Sequence, residues 1–199
     1  MFLLVIAVPL VCRTEGTLVR LGAANAVTAV RVVIVAAVAG CVGRDVSALG
    51  LWGIEALVAV FAILDGVDGW LARARGETTA FGARFDMETD AAFILVLSLL
   101  VWEHEGAGVW VLLCGLMRYA FVAAGWLLPW LSAPLRPTRR GRVVAVLQFV
   151  GLALALAPAL PTVVHETAAG TALVSLIWSF ALDVARLTRA RRQPLSAWR

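Results

Sequence analysis

An all-α fold, a polytopic membrane bundle of six helices, is what this sequence predicts, and three observations predict it. Hydrophobic side chains make up 62% of the 199 residues and charged ones 15%, where a soluble domain carries roughly 25% charged residues. The apolar residues fall into six runs, each close to the about 20 residues that cross a hydrocarbon core as a helix. All 17 basic residues are arginine, and they collect mainly in alternate connections between those runs.

Residues 1–23 form an N-terminal juxtamembrane segment. Its opening "MFLLVIAVPLVC" reaches only about 18 Å as a helix, too short to span a bilayer. It has no basic segment before it and no clear small-residue cleavage site after it, so an interfacial helix or a poorly defined chain start is the expectation. The membrane domain covers 24–187, with spans expected at 24–42, 49–72, 85–102, 108–131, 143–160 and 168–187, and 188–199 is a basic tail. Arg13 and Arg20 precede the first span; Arg73, Arg75 and Arg84 lie between the second and third; Arg136, Arg139, Arg140 and Arg142 join the fourth and fifth. Arg186, Arg189, Arg191, Arg192 and Arg199 gather at or beyond the end of the sixth, and the other three connections contain only Arg44. The positive-inside rule then puts both termini and the connection after the second span on the cytoplasmic side. Arginines in this arrangement set topology, so the formal charge of +4 is not read as a nucleic-acid footprint.

Cys12, Cys41 and Cys114 lie in or beside apolar segments without paired spacing and read as small core residues. Trp52, Trp102, Trp110 and Trp130 fall near span ends, as an aromatic belt requires. His104 and His165 fall in loops on the side opposite the cytoplasm, which separates them from the acids described next. Asp183 is expected to form a helix-end ion pair with a neighbouring arginine.

The informative segment is "LDGVDGWLARARGETTAFGARFDMETD", residues 64–90. An aspartate at the centre of a membrane helix costs roughly 2.5–3.5 kcal/mol on insertion scales, and less near an interface. Asp65 and Asp68 are spaced i, i+3 near the cytoplasmic end of the second span, and Asp86 and Asp90 are spaced i, i+4 at the start of the third. Each pair lies on one helix face. If "ARARGETT" lets the helices run back antiparallel, four carboxylates converge and repel unless cations neutralise them. Oxygen ligands without histidine or cysteine favour Mg²⁺ or Mn²⁺ over Zn²⁺. Gly69, Ala72 and Gly82 on neighbouring turns admit close helix packing or close approach of a ligand. Arg73 sits where it can pair with a carboxylate or a phosphate.

Read from Asp65, the segment is D-x-x-D-G-x-x-A-R, eight residues, then G-x-x-x-D-x-x-x-D. It resembles the signature of the CDP-alcohol phosphatidyltransferases at all its fixed positions: Asp65, Asp68, Gly69, Ala72, Arg73, Gly82, Asp86 and Asp90. "NAVTAVR", with Asn25, Thr28 and Arg31, resembles a second stretch found in many members. The resemblance implies a six-helix membrane enzyme, usually a homodimer, with its site at the cytoplasmic face of the plasma membrane. It implies transfer of a phosphatidyl group from a CDP-linked lipid, CDP-diacylglycerol first among them, to an alcohol with release of CMP. Two ions, Mg²⁺ or Mn²⁺, held by Asp65, Asp68, Asp86 and Asp90 would act on the diphosphate, and Asp90 would take the proton of the attacking hydroxyl. Asp68, Gly69, Ala72, Arg73 and Gly82 would bind the CDP donor.

The acceptor is a small polar alcohol, phosphorylated or not, and its candidate ligands are Arg31, Arg118, Arg139 and Arg142. Arg118 lies inside the fourth span, and its alternative role is to pair with Asp183 or Glu55. Gly141, Arg142, Leu147 and Gln148 faintly resemble a stretch of phosphatidylglycerophosphate synthases, but Val144 and Ala145 replace its second lysine and its threonine. Glycerol 3-phosphate, inositol phosphate, another phosphorylated polyol, serine and a lipid alcohol all stay open. Two other readings of the acids are an ion path in a cation channel or transporter, and an aspartate-rich prenyltransferase. The first leaves the glycine, alanine and arginine spacing to chance; the second calls for another aspartate-rich motif, and Asp183 is the single aspartate after Asp90.

Overall fold

The computed structural model describes residues 23–75, 80–104, 107–132 and 138–192. Among the described residues all regular structure is helical: α1 (Ala23–Ala39), α2 (Ala48–Arg75), α3 (Ala80–His104), α4 (Leu112–Leu127), α5 (Arg139–Leu156) and α6 (Thr162–Arg192). Two short 3₁₀ turns, Val109–Val111 and Pro129–Ser132, flank α4. One helix stands at each of the six apolar runs. Residues 1–22 and 193–199 lie outside the described residues, and with them the expected interfacial helix, Cys12 and most of the basic tail.

Each boundary has a local cause. After α1 the chain turns through Gly43, whose φ of 76° is in the left-handed region that glycine adopts without steric cost. Ser47 then caps α2, its Oγ accepting a hydrogen bond from the Gly50 amide at 3.2 Å. Thr138 does the same for α5, accepting from the Gly141 amide at 3.1 Å. α4 stops at Leu127, two residues before Pro129, and α5 stops at Leu156, two residues before Pro158. The helices do not end where the apolar runs end: α2 continues to Arg75 and α6 begins at Thr162 and runs to Arg192. Hydropathy marks the lipid-compatible part of a helix, whereas backbone hydrogen bonding continues through polar turns until a cap or a proline intervenes.

Among the described residues, three helical segments are long and apolar enough to cross a membrane: Ala48–Val67, Val109–Leu127 and Thr162–Arg189. α1 falls short at 17 residues. Charge rather than length holds back the other two. α3 carries Asp86, Glu88, Asp90 and Glu103, and α5 opens with Arg139, Arg140 and Arg142.

The chain divides into two compact units, Met1–Val96 and Leu97–Arg199. In the first, α1 packs along α2, with Val35, Val38, Ile54, Val58, Phe61 and Phe93 in its core. In the second, α5 packs on α6. Gly151 makes that contact close, because a Cβ there would stand 2.9 Å from the Ala168 carbonyl oxygen and 2.9 Å from the Ala172 Cβ. Gln148, buried on the same face, donates to the Ala172 carbonyl at 2.6 Å. A glycine seam joined by an interhelical hydrogen bond is a usual way to hold helices together where lipid removes the hydrophobic drive. Gly151→Val is accordingly expected to lower stability by about 1–3 kcal/mol. Thermal unfolding in detergent measures this, and an unchanged midpoint would mean that α5 and α6 do not meet at this glycine.

Candidate active site

The first unit builds the site from three helices. On α2, Phe61 and Asp65 are one turn apart; on α3, Asp86, Asp90 and Phe93 follow at intervals of four and three. Both sets therefore occupy single helix faces. α1 contributes Arg31, one turn beyond Thr28, and both are buried.

Asp65, Asp86 and Asp90 converge as the spacing predicts, with a ligand oxygen from each within 4.8 Å of the others. Arg31 joins them. Its Nη1 donates to Asp86 Oδ1 and its Nη2 to Asp90 Oδ1, while Nη2 also lies 3.0 Å from Asp65 Oδ1. The Arg31 side chain is 0% exposed, whereas those of Asp65, Asp86 and Asp90 are 51%, 39% and 42% exposed. A cation thus lies beneath the acids, and the carboxylates open outward.

Below the guanidinium is an aromatic floor. The Arg31 Cζ stands 4.3 Å from the Phe61 ring centroid, and Phe61 packs on Phe93 at 4.2 Å between centroids. An arginine over a ring face gains a cation–π attraction and has its stem held in place. Of the two rings and the arginine, only Arg31 is anticipated by the sequence, and then as an acceptor ligand. Phe61 one turn before Asp65 and Phe93 one turn after Asp90 were the signal for the rings.

Three carboxylates against one guanidinium leave two negative charges in excess. Their half-exposed oxygens form a hard donor set, which fits Mg²⁺ or Mn²⁺. Gly82 lies one turn before Asp86 on α3 and is part-buried. Asp68, Gly69, Ala72 and Arg73 continue α2 past Asp65 as helix, but their side chains lie outside the described residues, as does that of Asn25.

The remaining predicted residues belong to the second unit. Arg118 is part-buried on α4, and Arg139 and Arg142 are exposed in the first turn of α5. Asp183 pairs with Arg140, and Arg186 approaches it at 3.8 Å, which is the helix-end pairing expected of it. His165 uses Nε2 to bond the Ala157 carbonyl at 3.1 Å, and His104 uses Nδ1 with the Leu100 carbonyl at 3.2 Å. Both histidines are thus engaged with backbone. Cys41 and Cys114 carry free thiols.

Comparison with protein families agrees with the geometry. The family model for CDP-alcohol phosphatidyltransferases matches residues 21–183, which include α1, every position of the aspartate motif and α6 as far as Asp183. No curated protein and no solved structure gives a match.

The chain belongs to the CDP-alcohol phosphatidyltransferase family. It is therefore an enzyme, a phosphotransferase of phospholipid biosynthesis that forms a phosphodiester bond, in a family generally dependent on divalent metal. Membership together with its apolar helices makes it an integral membrane protein.

Proposed function

We propose that the cluster on α2 and α3 is the reaction centre, where an alcohol hydroxyl attacks the phosphatidyl phosphorus of CDP-diacylglycerol. The observation that carries this reading is the meeting of Asp65, Asp86 and Asp90, three aspartates of the motif, in one open-faced group. In the reaction the new bond joins the acceptor oxygen to that phosphorus, the phosphorus–oxygen bond to CMP breaks, and the hydroxyl proton goes to a carboxylate.

Asp65, Asp68 and Asp86, with Asp90, would hold two Mg²⁺ or Mn²⁺ ions. Such ions, when bound, stabilise the charge on the diphosphate and on departing CMP. Asp90 takes the proton. Its Oδ1 is held by Arg31, and a carboxylate with two oxygens and about four lone-pair sites keeps further acceptor capacity. Asp68, Gly69, Ala72 and Gly82 accommodate the cytidine nucleotide, and Arg73 pairs with the donor phosphates. A donor with its tails in lipid and its nucleotide in water suits Asp65, which follows the unbroken apolar run 56–64 on α2.

The wider arrangement belongs to the same proposal: one membrane domain over 24–187, six spans with cytoplasmic termini, a site facing the cytoplasm of the plasma membrane, and a homodimer. The arginine distribution supports the orientation. The acceptor is a small polar alcohol, and a phosphorylated one is favoured. Arg139 and Arg142 are exposed at the start of α5, and Arg140 between them has Nε and Nη1 buried without a hydrogen-bond partner among the described residues. Arg118 completes the set of candidate acceptor ligands; Arg31, expected among them from the sequence, is instead buried beneath the aspartates and paired with three of them.

The test is product identification by mass spectrometry after incubating purified protein with CDP-diacylglycerol, Mg²⁺ and, separately, glycerol 3-phosphate, inositol phosphate, inositol, serine or phosphatidylglycerol. One phosphodiester product is expected, formed from a phosphorylated polyol. A product from serine or unphosphorylated inositol alone would overturn the acceptor assignment and leave the reaction class standing.

A further inference from the structure

We propose that Arg31 is the resident counter-cation of the aspartate cluster: it holds the carboxylates together before a divalent ion arrives and competes with that ion for the same oxygens. The inference rests on the reading of Asp65, Asp86 and Asp90 as metal ligands. Three features point to it. The guanidinium engages Oδ1 of all three acids at once, through Nη1 on Asp86 and Nη2 on Asp65 and Asp90. Its side chain is 0% exposed, so it is no surface group that pairs by chance. Its position is fixed from below by the Phe61 ring, at 4.3 Å, which is itself braced by Phe93.

Charge decides the direction of the effect. Removing Arg31 would leave three carboxylates facing one another with nothing between them, so the metal-free protein loses stability through their repulsion. The same removal frees three oxygens and takes a positive charge away from the place where a divalent ion must sit, so the ion binds more tightly. A residue that only filled space would change stability without tightening metal binding. One that oriented the acids for the ion would weaken binding when removed. Lysine keeps the charge but, as a compact ammonium without the planar fork, cannot match three oxygens as the guanidinium does.

The experiment is Mn²⁺ titration of the full chain in detergent, read by electron paramagnetic resonance of the free ion, for wild type, Arg31→Gln and Arg31→Lys, with thermal unfolding in Mn²⁺ and in chelator. Arg31→Gln is expected to bind Mn²⁺ about tenfold more tightly or better, with a larger stabilisation by Mn²⁺ than wild type shows. Arg31→Lys should fall between. Arg31→Gln that folds only in Mn²⁺ also supports the inference. Unchanged or weaker binding by folded Arg31→Gln overturns it. If that variant folds in neither condition, Arg31→Lys decides: tighter binding than wild type supports the inference, and equal or weaker binding overturns it. Binding by none of the three proteins, wild type included, would overturn the metal reading itself and the inference with it. Binding by the variants alone would show Arg31 excluding the ion.

Discussion

Asp90→Asn is expected to reduce CMP release by at least about 10²–10⁴-fold, the usual worth of a positioned general base, while the variant still binds CDP-diacylglycerol. The substitution is nearly isosteric, so Asp90's place on α3 and a hydrogen bond from Arg31 to its Oδ1 can survive. What disappears is the negative oxygen that accepts the acceptor's proton. Asparagine also removes one ligand charge, so part of the loss is weaker metal binding. A donor-binding assay at saturating Mg²⁺ separates the two, because a base knock-out lowers turnover far more than it lowers donor affinity. Near-normal turnover in Asp90→Asn would remove Asp90 from the chemistry.

Asp86→Ala has the second large expected effect, and of a different kind. The Asp86 carboxylate is one of three that meet at Arg31, and its loss leaves two acids against a buried guanidinium there. The excess negative charge falls from two to one, which weakens attraction for a divalent ion and, through it, for the diphosphate. Metal affinity, donor affinity and turnover should fall together, and Asp68→Ala should behave alike. Equilibrium binding of Mn²⁺ and of CDP-diacylglycerol checks this; retention of both alongside lost turnover would assign Asp86 to the chemistry and not to metal binding.

The sequence made the hairpin of acids readable because helical periodicity fixes which residues share a face: Asp65 on one helix, Asp86 and Asp90 on the next. Pairing of Asp183 with a nearby arginine was readable for a similar reason, since cations are concentrated at that end of α6. The centre of the site was not readable. Periodicity within α2 and α3 says nothing about which residue of a third helix lands between them, and Arg31 reaches the acids only because α1 packs along α2. Phe61 and Phe93 escaped notice because an aromatic residue in an apolar run looks like any other core residue until the cation above it is seen. The acids that define the site on α3 leave it too charged to count among the three apolar spans of the structure, although its run 85–102 is one of the six expected from the sequence. Gln148, noticed in the sequence through a faint motif, bonds the backbone of α6.

The central claim, that the acids on α2 and α3 carry metal-dependent phosphatidyl transfer, is tested most directly by CMP release from CDP-diacylglycerol. The assay uses purified protein and the acceptor panel, with Mg²⁺ in one arm and chelator in the other. CMP that appears only when both Mg²⁺ and one acceptor are present, and that stops in chelator, is the predicted result. CMP release that continues undiminished in chelator, or none with any acceptor from folded protein that binds Mn²⁺, would contradict it.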